Sequence, residues 1–294
     1  MNVYDANQHR LDTMGDTTDQ RYHDGTPDSL LKRSGLALLE GFERLNIAAS
    51  NVSTEPILDP SRFEWIDLLE ENWRLIRSEL DALLEHRERL PSFHEISEHQ
   101  RSITDDEDWK TYFLYGYGYK AEKNCARCPE TTRLIEQVPG MMTAFFSILA
   151  PGKHIPDHRG PFNGVLRYHL GLKVPEPAEQ CRIRVADEYA HWEEGQSLLF
   201  DDTYRHEVWN DTDGERAILF MDVRRPLRFP INLVNRTALR LIQRTSLVQD
   251  ARENQKRWEE RFERELASVP SSSADGADGV GVSDQADTSS GSAP

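Results

Sequence analysis

Two histidines and two arginines between His158 and Asp222 are placed where side chains of their types could do chemistry together. His158 stands between PGKHIPD and RGPFNG, where a strand meets a Gly/Pro-rich turn, and His206 closes the run SLLFDDTYRH. Neutral imidazole is a usual protein ligand for iron, zinc or copper. The two lie 48 residues apart, so they converge only in a fold that returns the chain. In LRYHLGL, Arg167 and His169 share one face of a strand, with Leu166, Tyr168 and Leu170 on the other. An arginine turned into an interior must meet an anion, because burying it unpaired is expensive. Arg216 heads the run RAILFMDV, ten residues beyond His206, and its fork suits bidentate binding of a carboxylate. The competing reading pairs these arginines with protein carboxylates such as Asp201 or Asp202.

The common non-haem iron site adds one carboxylate to two histidines on one face. Two residues after His158, where alternation would place it, stands Gly160. Asp157 neighbours His158 and points away in a regular strand. Asp202 shares a face with His206, and it either reaches the metal or orients one of its ligands from behind.

These side chains need a scaffold that brings strand margins to one mouth. From Met141 on, MTAFFSILAPG, LRYHLGLKVP, CRIRVA, SLLFD, HEVWN and AILFMDV are short β-prone runs separated by Gly, Pro, Asp and Asn. DWKTYFLYGYGYK (108–120) adds a strand or two. Many short strands with turn signals predict an antiparallel jelly roll, mainly β with flanking helices, with its core at about 108–226. Residues 62–90 carry apolar residues at three- and four-residue spacing and predict one helix covering a sheet, stopped by Pro91. Residues 129–138 predict a short helix, and 237–268 a charge-dense one. Residues 29–49 predict an amphipathic helix whose apolar face packs on this domain or on a second subunit rather than on a membrane, its polar face not being basic. Residues 1–28 and 269–294 are polar or acidic, with little to bury, and are expected to be disordered. The loops 86–108 and 224–236 are the places for substrate contacts.

Composition excludes several classes of function. A formal net charge of −16 argues against a nucleic-acid partner, which needs a basic footprint. No run approaches a membrane span, which argues against stable insertion, and the N-terminus lacks the features of a signal peptide. Three cysteines, Cys125, Cys128 and Cys181, give no even disulfide framework and are expected to be reduced. The expectation is a cytoplasmic protein.

Taken together, H158-RGPFNGVL-R167-Y-H169-LGL, W192-EEGQSLLFDDTYRH206-EVWN and R216-AILFMDV resemble the aspartyl/asparaginyl β-hydroxylase family of iron(II)/2-oxoglutarate dioxygenases. The run DHRGPFNGVLRYHLGL is also similar to the lipid A fatty-acyl hydroxylases. The likeness is strongest over about 145–226 and extends loosely back to Phe63. It implies a double-stranded β-helix, a form of jelly roll, with His158 and His206 as catalytic iron(II) ligands. It implies Arg216 on the distal carboxylate of 2-oxoglutarate, Ser147 as a hydroxyl contact to it, and Arg167 and His169 as its remaining contacts near the metal. It favours water in the third metal position, with Asp202 behind it. It implies O2-dependent hydroxylation of an Asp/Asn-type side chain, peptidyl, carrier-bound or free, or alternatively of a lipid acyl chain. The lack of a membrane span weakens the acyl option. A metal-binding jelly-roll module without catalysis is the contrasting reading.

Overall fold

The computed structural model describes residues 40–267, so the expectations for 1–28 and 269–294 lie outside the described residues. Eleven strands form among the described residues. They are β1 (Ile57–Leu58), β2 (Trp109–Gly116), β3 (Tyr119–Lys120), β4 (Met141–Leu149), β5 (His154–His158) and β6 (Val165–Lys173), then β7 (Cys181–Val185), β8 (Glu188–His191), β9 (Ser197–Phe200), β10 (His206–Asn210) and β11 (Arg216–Arg224). One sheet runs β1-β9-β6-β11-β4-β2-β3 and the other β5-β10-β7-β8, with every pairing antiparallel. Two facing antiparallel sheets with this returning order are the jelly roll the strand runs predict.

Helices α1 (40–48), α2 (Trp65–Glu71), α3 (Trp73–Leu84), α4 (Phe93–Ile96), α5 (Glu122–Arg127), α6 (Pro129–Ile135), α7 (Ile231–Ile242) and α8 (Ser246–Ala267) flank the sheets. Strand alternation divides each long strand between two cores. On the outer face of the larger sheet, Tyr168, Leu170, Leu219 and Met221 pack with Ile76 and Leu80 of α3. On its inner face, Phe145, Phe200 and Phe220 pack with Ile183 and Val208 of the smaller sheet. Each such side chain contributes about 1.5–3 kcal/mol when fully buried. The candidate site residues all come from the inner face or from the strand ends that border it.

Two helical expectations are corrected. The predicted single helix over 62–90 is divided at Asn72, whose side-chain amide donates to the Leu68 carbonyl at 2.8 Å and whose backbone leaves helical geometry. A polar side chain that competes for backbone partners in this way interrupts the helix. The predicted helix over 237–268 is two helices, α7 and α8. Between them Thr245 donates its hydroxyl to the Ile242 carbonyl at 2.7 Å, and Gln249 its amide to the Gln243 carbonyl at 2.7 Å. Because α7 begins at Ile231, the stretch 224–236 is helical over its second half rather than a loop.

Candidate active site

His158 ends β5 and His206 begins β10, and the two are cross-strand partners. Adjacency across the ladder brings their rings to a centroid separation of 4.1 Å. Each ring uses Nδ1 on a backbone carbonyl, His158 on Pro156 at 2.8 Å and His206 on Tyr204 at 3.0 Å. That bond fixes the tautomer: Nδ1 carries the proton, and Nε2 is left with its lone pair, the form that binds a metal. Burial holds His158 down to about 4 and His206 well below the ordinary imidazole range, with the neighbouring Arg167 charge acting in the same direction on both. Both rings are therefore neutral near pH 7. His206 is buried, while His158 is half-buried and opens the site to solvent.

A chain of contacts leads inward from the pair. The ring of His206 meets Phe200 at 5.5 Å, Phe200 meets His169 at 5.1 Å, and His169 meets Trp192 at 6.0 Å. The guanidinium of Arg216 lies 4.4 Å from the Trp192 ring centroid. Arg216 is 2% exposed, yet among the described residues its Nε and Nη1 have no hydrogen-bond partner and no carboxylate pairs with it. Burial without a counterion lowers its pKa to about 10, the Cys181 thiol being the polar group that acts against this. It remains a cation at neutral pH. Trp192 donates its indole N–H to His169 Nδ1 at 3.3 Å. Since indole only donates, His169 carries its proton on Nε2, and that buried N–H has no partner. Trp109 donates to Ser147 Oγ at 3.0 Å, which leaves the Ser147 hydroxyl proton free to donate elsewhere. Arg216, His169 and Ser147 are thus donors without acceptors on one inner face, a constellation suited to an anion.

Arg167 is different. Its Nη2 lies 2.8 Å from Asp202 Oδ2 and its Nε 3.2 Å from Asp222 Oδ1, and its guanidinium lies over Phe220 at 4.6 Å. Asp222 and Arg167 are partners across the β6–β11 ladder. For Arg167 the pairing with protein carboxylates holds, and a fork free for a small anion does not; the charge of two buried carboxylates near the histidines requires a cation among them. Even so, burial pushes Asp202 up to about 6, and its Oδ1 lacks a hydrogen-bond partner. A Cβ at Gly160 would overlap the Asp202 carboxylate. The space that a side chain at position 160 would use is therefore filled from β9's end of the fold. Among the described residues no cluster of three His, Cys, Asp or Glu is arranged to hold a metal. Two neutral imidazoles aligned by backbone bonds are a donor pair that would suit a metal such as iron(II).

A family model described as aspartyl/asparaginyl beta-hydroxylase matches residues 70–226, more than half of the chain. This chain belongs to the aspartyl/asparaginyl β-hydroxylase family. It is 42% identical over 234 residues to an ornithine lipid ester-linked acyl 2-hydroxylase of Rhizobium tropici, an alignment that covers 80% of this chain and 83% of that one. It is 37% identical over 170 residues to the human aspartyl/asparaginyl beta-hydroxylase, covering 55% of this chain and 21% of the human protein. Among solved structures, a Pseudomonas putida prolyl-4-hydroxylase aligns with TM-score 0.34 and 18% identity over 63% of this chain and 98% of that one. Family membership makes the chain a hydroxylase.

Within this hydroxylase, the sequence reading missed Trp192 as the partner of Arg216 and His169, Trp109 as the donor to Ser147, and Asp222 as the second counterion of Arg167. Tyr204 is a core residue bonded to the Thr54 carbonyl at 2.8 Å, and Trp209 stacks on His154 on the outer side of the smaller sheet. Gly171 shows how Trp192 arrives: a Cβ there would strike the Glu193 carbonyl, so only glycine lets the 192–195 segment cross β6 at this height. Cys125, Cys128 and Cys181 are free and buried.

Proposed function

We propose that this hydroxylase depends on iron(II) and 2-oxoglutarate and acts on a lipid acyl chain. The observation that carries the cofactor reading is Arg216, a buried arginine with no carboxylate partner among the described residues, beside the unpartnered Nε2–H of His169 and inward of the histidine pair. Such a cation is costly to bury unless a ligand supplies the negative charge. A module that merely stored a metal would have no use for it.

In this reading His158 and His206 hold iron through Nε2, and Arg216 takes the distal carboxylate of 2-oxoglutarate, with Ser147 donating to the same anion. His169 donates its Nε2–H to the co-substrate nearer the metal. Arg167, clamped by Asp202 and Asp222, offsets their negative charge beside the co-substrate and fixes Asp202 behind the metal. When bound, the iron supplies dioxygen activation: O2 oxidises 2-oxoglutarate to succinate and CO2 and delivers its second oxygen atom to a substrate C–H, giving C–OH. The phenylalanines around His169 and His206 exclude water from the reacting atoms.

The acyl substrate is supported by the extent of similarity to the Rhizobium tropici lipid hydroxylase, which spans most of both chains. The second reading, an Asp/Asn-type side chain, is supported by the family model and by the human relative. Anaerobic titration of the protein with iron(II) and 2-oxoglutarate tests the cofactors: a weak visible charge-transfer band is expected for the native chain and not for His206→Ala. Succinate release with an ester-linked acyl lipid, compared with an aspartyl or asparaginyl peptide, tests the substrate. No band and no 2-oxoglutarate-dependent succinate with any substrate would sink the cofactor reading; turnover of the peptide alone would sink the acyl one.

A further inference from the structure

Between Asp222 and Asp250 the chain carries six arginines and no Asp or Glu, in a protein whose net charge is −16. Arg225 of this run is buried against Asp201, but Arg228, Arg236, Arg240 and Arg244 are exposed. The same stretch holds much of the exposed apolar surface: Phe229 is 78% exposed, Leu241 60%, Leu233 50% and Val234 47%. On α7, Asn235 and Leu239 face the protein. At 100° per residue, Leu233 and Thr237 point directly outward, Val234 and Leu241 flank them on one side, and Arg236 and Arg240 on the other, with the exposed Arg244 two residues past the helix end. An amphipathic helix normally turns its apolar stripe to the core; α7 also carries one away from it, bordered by guanidinium groups.

The face is fixed to the candidate site. Leu239 packs with Phe162, Val165 and Met142, and Asn235 donates to the Gly164 carbonyl at 2.9 Å. The segment 159–164 begins directly after His158. We propose that α7, with Phe229, is a docking face for an anionic lipid surface, its apolar side chains entering the interface and Arg236, Arg240 and Arg244 meeting lipid phosphates. This deepens the acyl-chain reading and rests on it, since an acyl substrate must be presented from such a surface.

The charges favour this occupant. A second copy docked through the same face would oppose like arginines, a repulsive arrangement. Arg224, Arg236 and Arg240 already crowd one another, lowering the pKa of Arg224 as burial does. A phosphate-bearing bilayer relieves that repulsion and covers the leucines in one contact, as interfacial helices do. Among the described residues no helix is long and apolar enough to span a membrane.

The test is co-sedimentation of the full chain, without iron or 2-oxoglutarate, with vesicles of phosphatidylglycerol and phosphatidylcholine mixed, and of phosphatidylcholine alone. Native protein is expected to bind the anionic vesicles at least tenfold more tightly, and less tightly as salt rises. Each guanidinium near an anionic surface contributes about fivefold in affinity. Arg236→Gln/Arg240→Gln/Arg244→Gln should therefore weaken binding on the order of a hundredfold, and Leu233→Ser/Val234→Ser/Leu241→Ser at least tenfold. All six positions are exposed, and unchanged thermal unfolding checks that both variants fold. Native protein that ignores anionic vesicles, variants that bind as the native chain does, or native dimers that both variants dissolve in the absence of lipid would each overturn the proposal. Vesicle binding without acyl hydroxylation would overturn the acyl-chain reading instead, and lipid turnover without vesicle binding would overturn only the docking face.

Discussion

His206 lies directly across the ladder from His158, so a single strand pairing sets the spacing of the two imidazoles proposed to hold the metal. Both rings are pre-oriented by backbone carbonyls, and removing one leaves a single neutral imidazole. Either His158→Ala or His206→Ala is expected to abolish stoichiometric iron(II) binding and reduce succinate release at least a hundredfold, with the fold kept. Anaerobic metal titration with circular dichroism on the same samples checks this. Metal bound one-to-one by the His206→Ala protein would show that the pair is not the site.

Arg216 should trade stability for binding. Replacing a buried, unpaired cation with an apolar side chain of similar length is expected to stabilise the ligand-free protein by about 1–3 kcal/mol. Arg216→Met should therefore raise Tm in the absence of ligand, while 2-oxoglutarate, expected to stabilise the native protein by binding the folded state alone, should no longer raise that of the variant. Thermal unfolding of both proteins with and without 2-oxoglutarate reads both effects. An Arg216→Met protein that still gains Tm from 2-oxoglutarate contradicts the assigned role.

How much of this was legible in the chain follows from which contacts are local. Alternation within a strand is local, so Arg167 and His169 could be set on one face from LRYHLGL alone. The turn chemistry around His158 is local too. The partner of Arg167 depends on the register of β6 against β11, 55 residues apart, which no periodicity encodes. Trp192 reaches Arg216 only because Gly171 lets a later segment cross close above β6. The break at Asn72 was a local signal outweighed by the regular apolar spacing on either side of it. The acid-free run after Asp222 was also plain in the sequence, but the net charge averaged it away.

The ligand-free protein should lose stability below about pH 6.5. His158, His169 and His206 have folded-state pKa values lowered by burial from the ordinary 6.5. As pH falls through 6.5 the unfolded chain takes up these protons and the native chain does not, so stability drops toward the folded values. Asp202 acts oppositely: raised from 3.8 to about 6, it binds a proton in the native state first and gains stability as pH falls through that interval. Three histidines outweigh one carboxylate among these four groups, so stability falls as pH drops through 6.5, by about 1.4 kcal/mol per pH unit for each net proton. Urea unfolding in chelator from pH 5 to 8 measures it, and a flat profile would mean the histidines are hydrated rather than buried.

Gly160 and Asp202 compete for one volume, and a double-mutant cycle can detect this. Gly160→Ala should destabilise the chain by about 1–3 kcal/mol through overpacking against a carboxylate held by Arg167. In an Asp202→Gly background the overlapping atoms are gone, so the same substitution should cost markedly less, giving a coupling of about 0.5–3 kcal/mol. Additive effects in urea unfolding would show that Asp202 does not fill the place beside Gly160. Coupling would explain physically why this site lacks a carboxylate two residues after its first histidine: the room for one is taken by an aspartate delivered from the end of β9 and neutralised by Arg167.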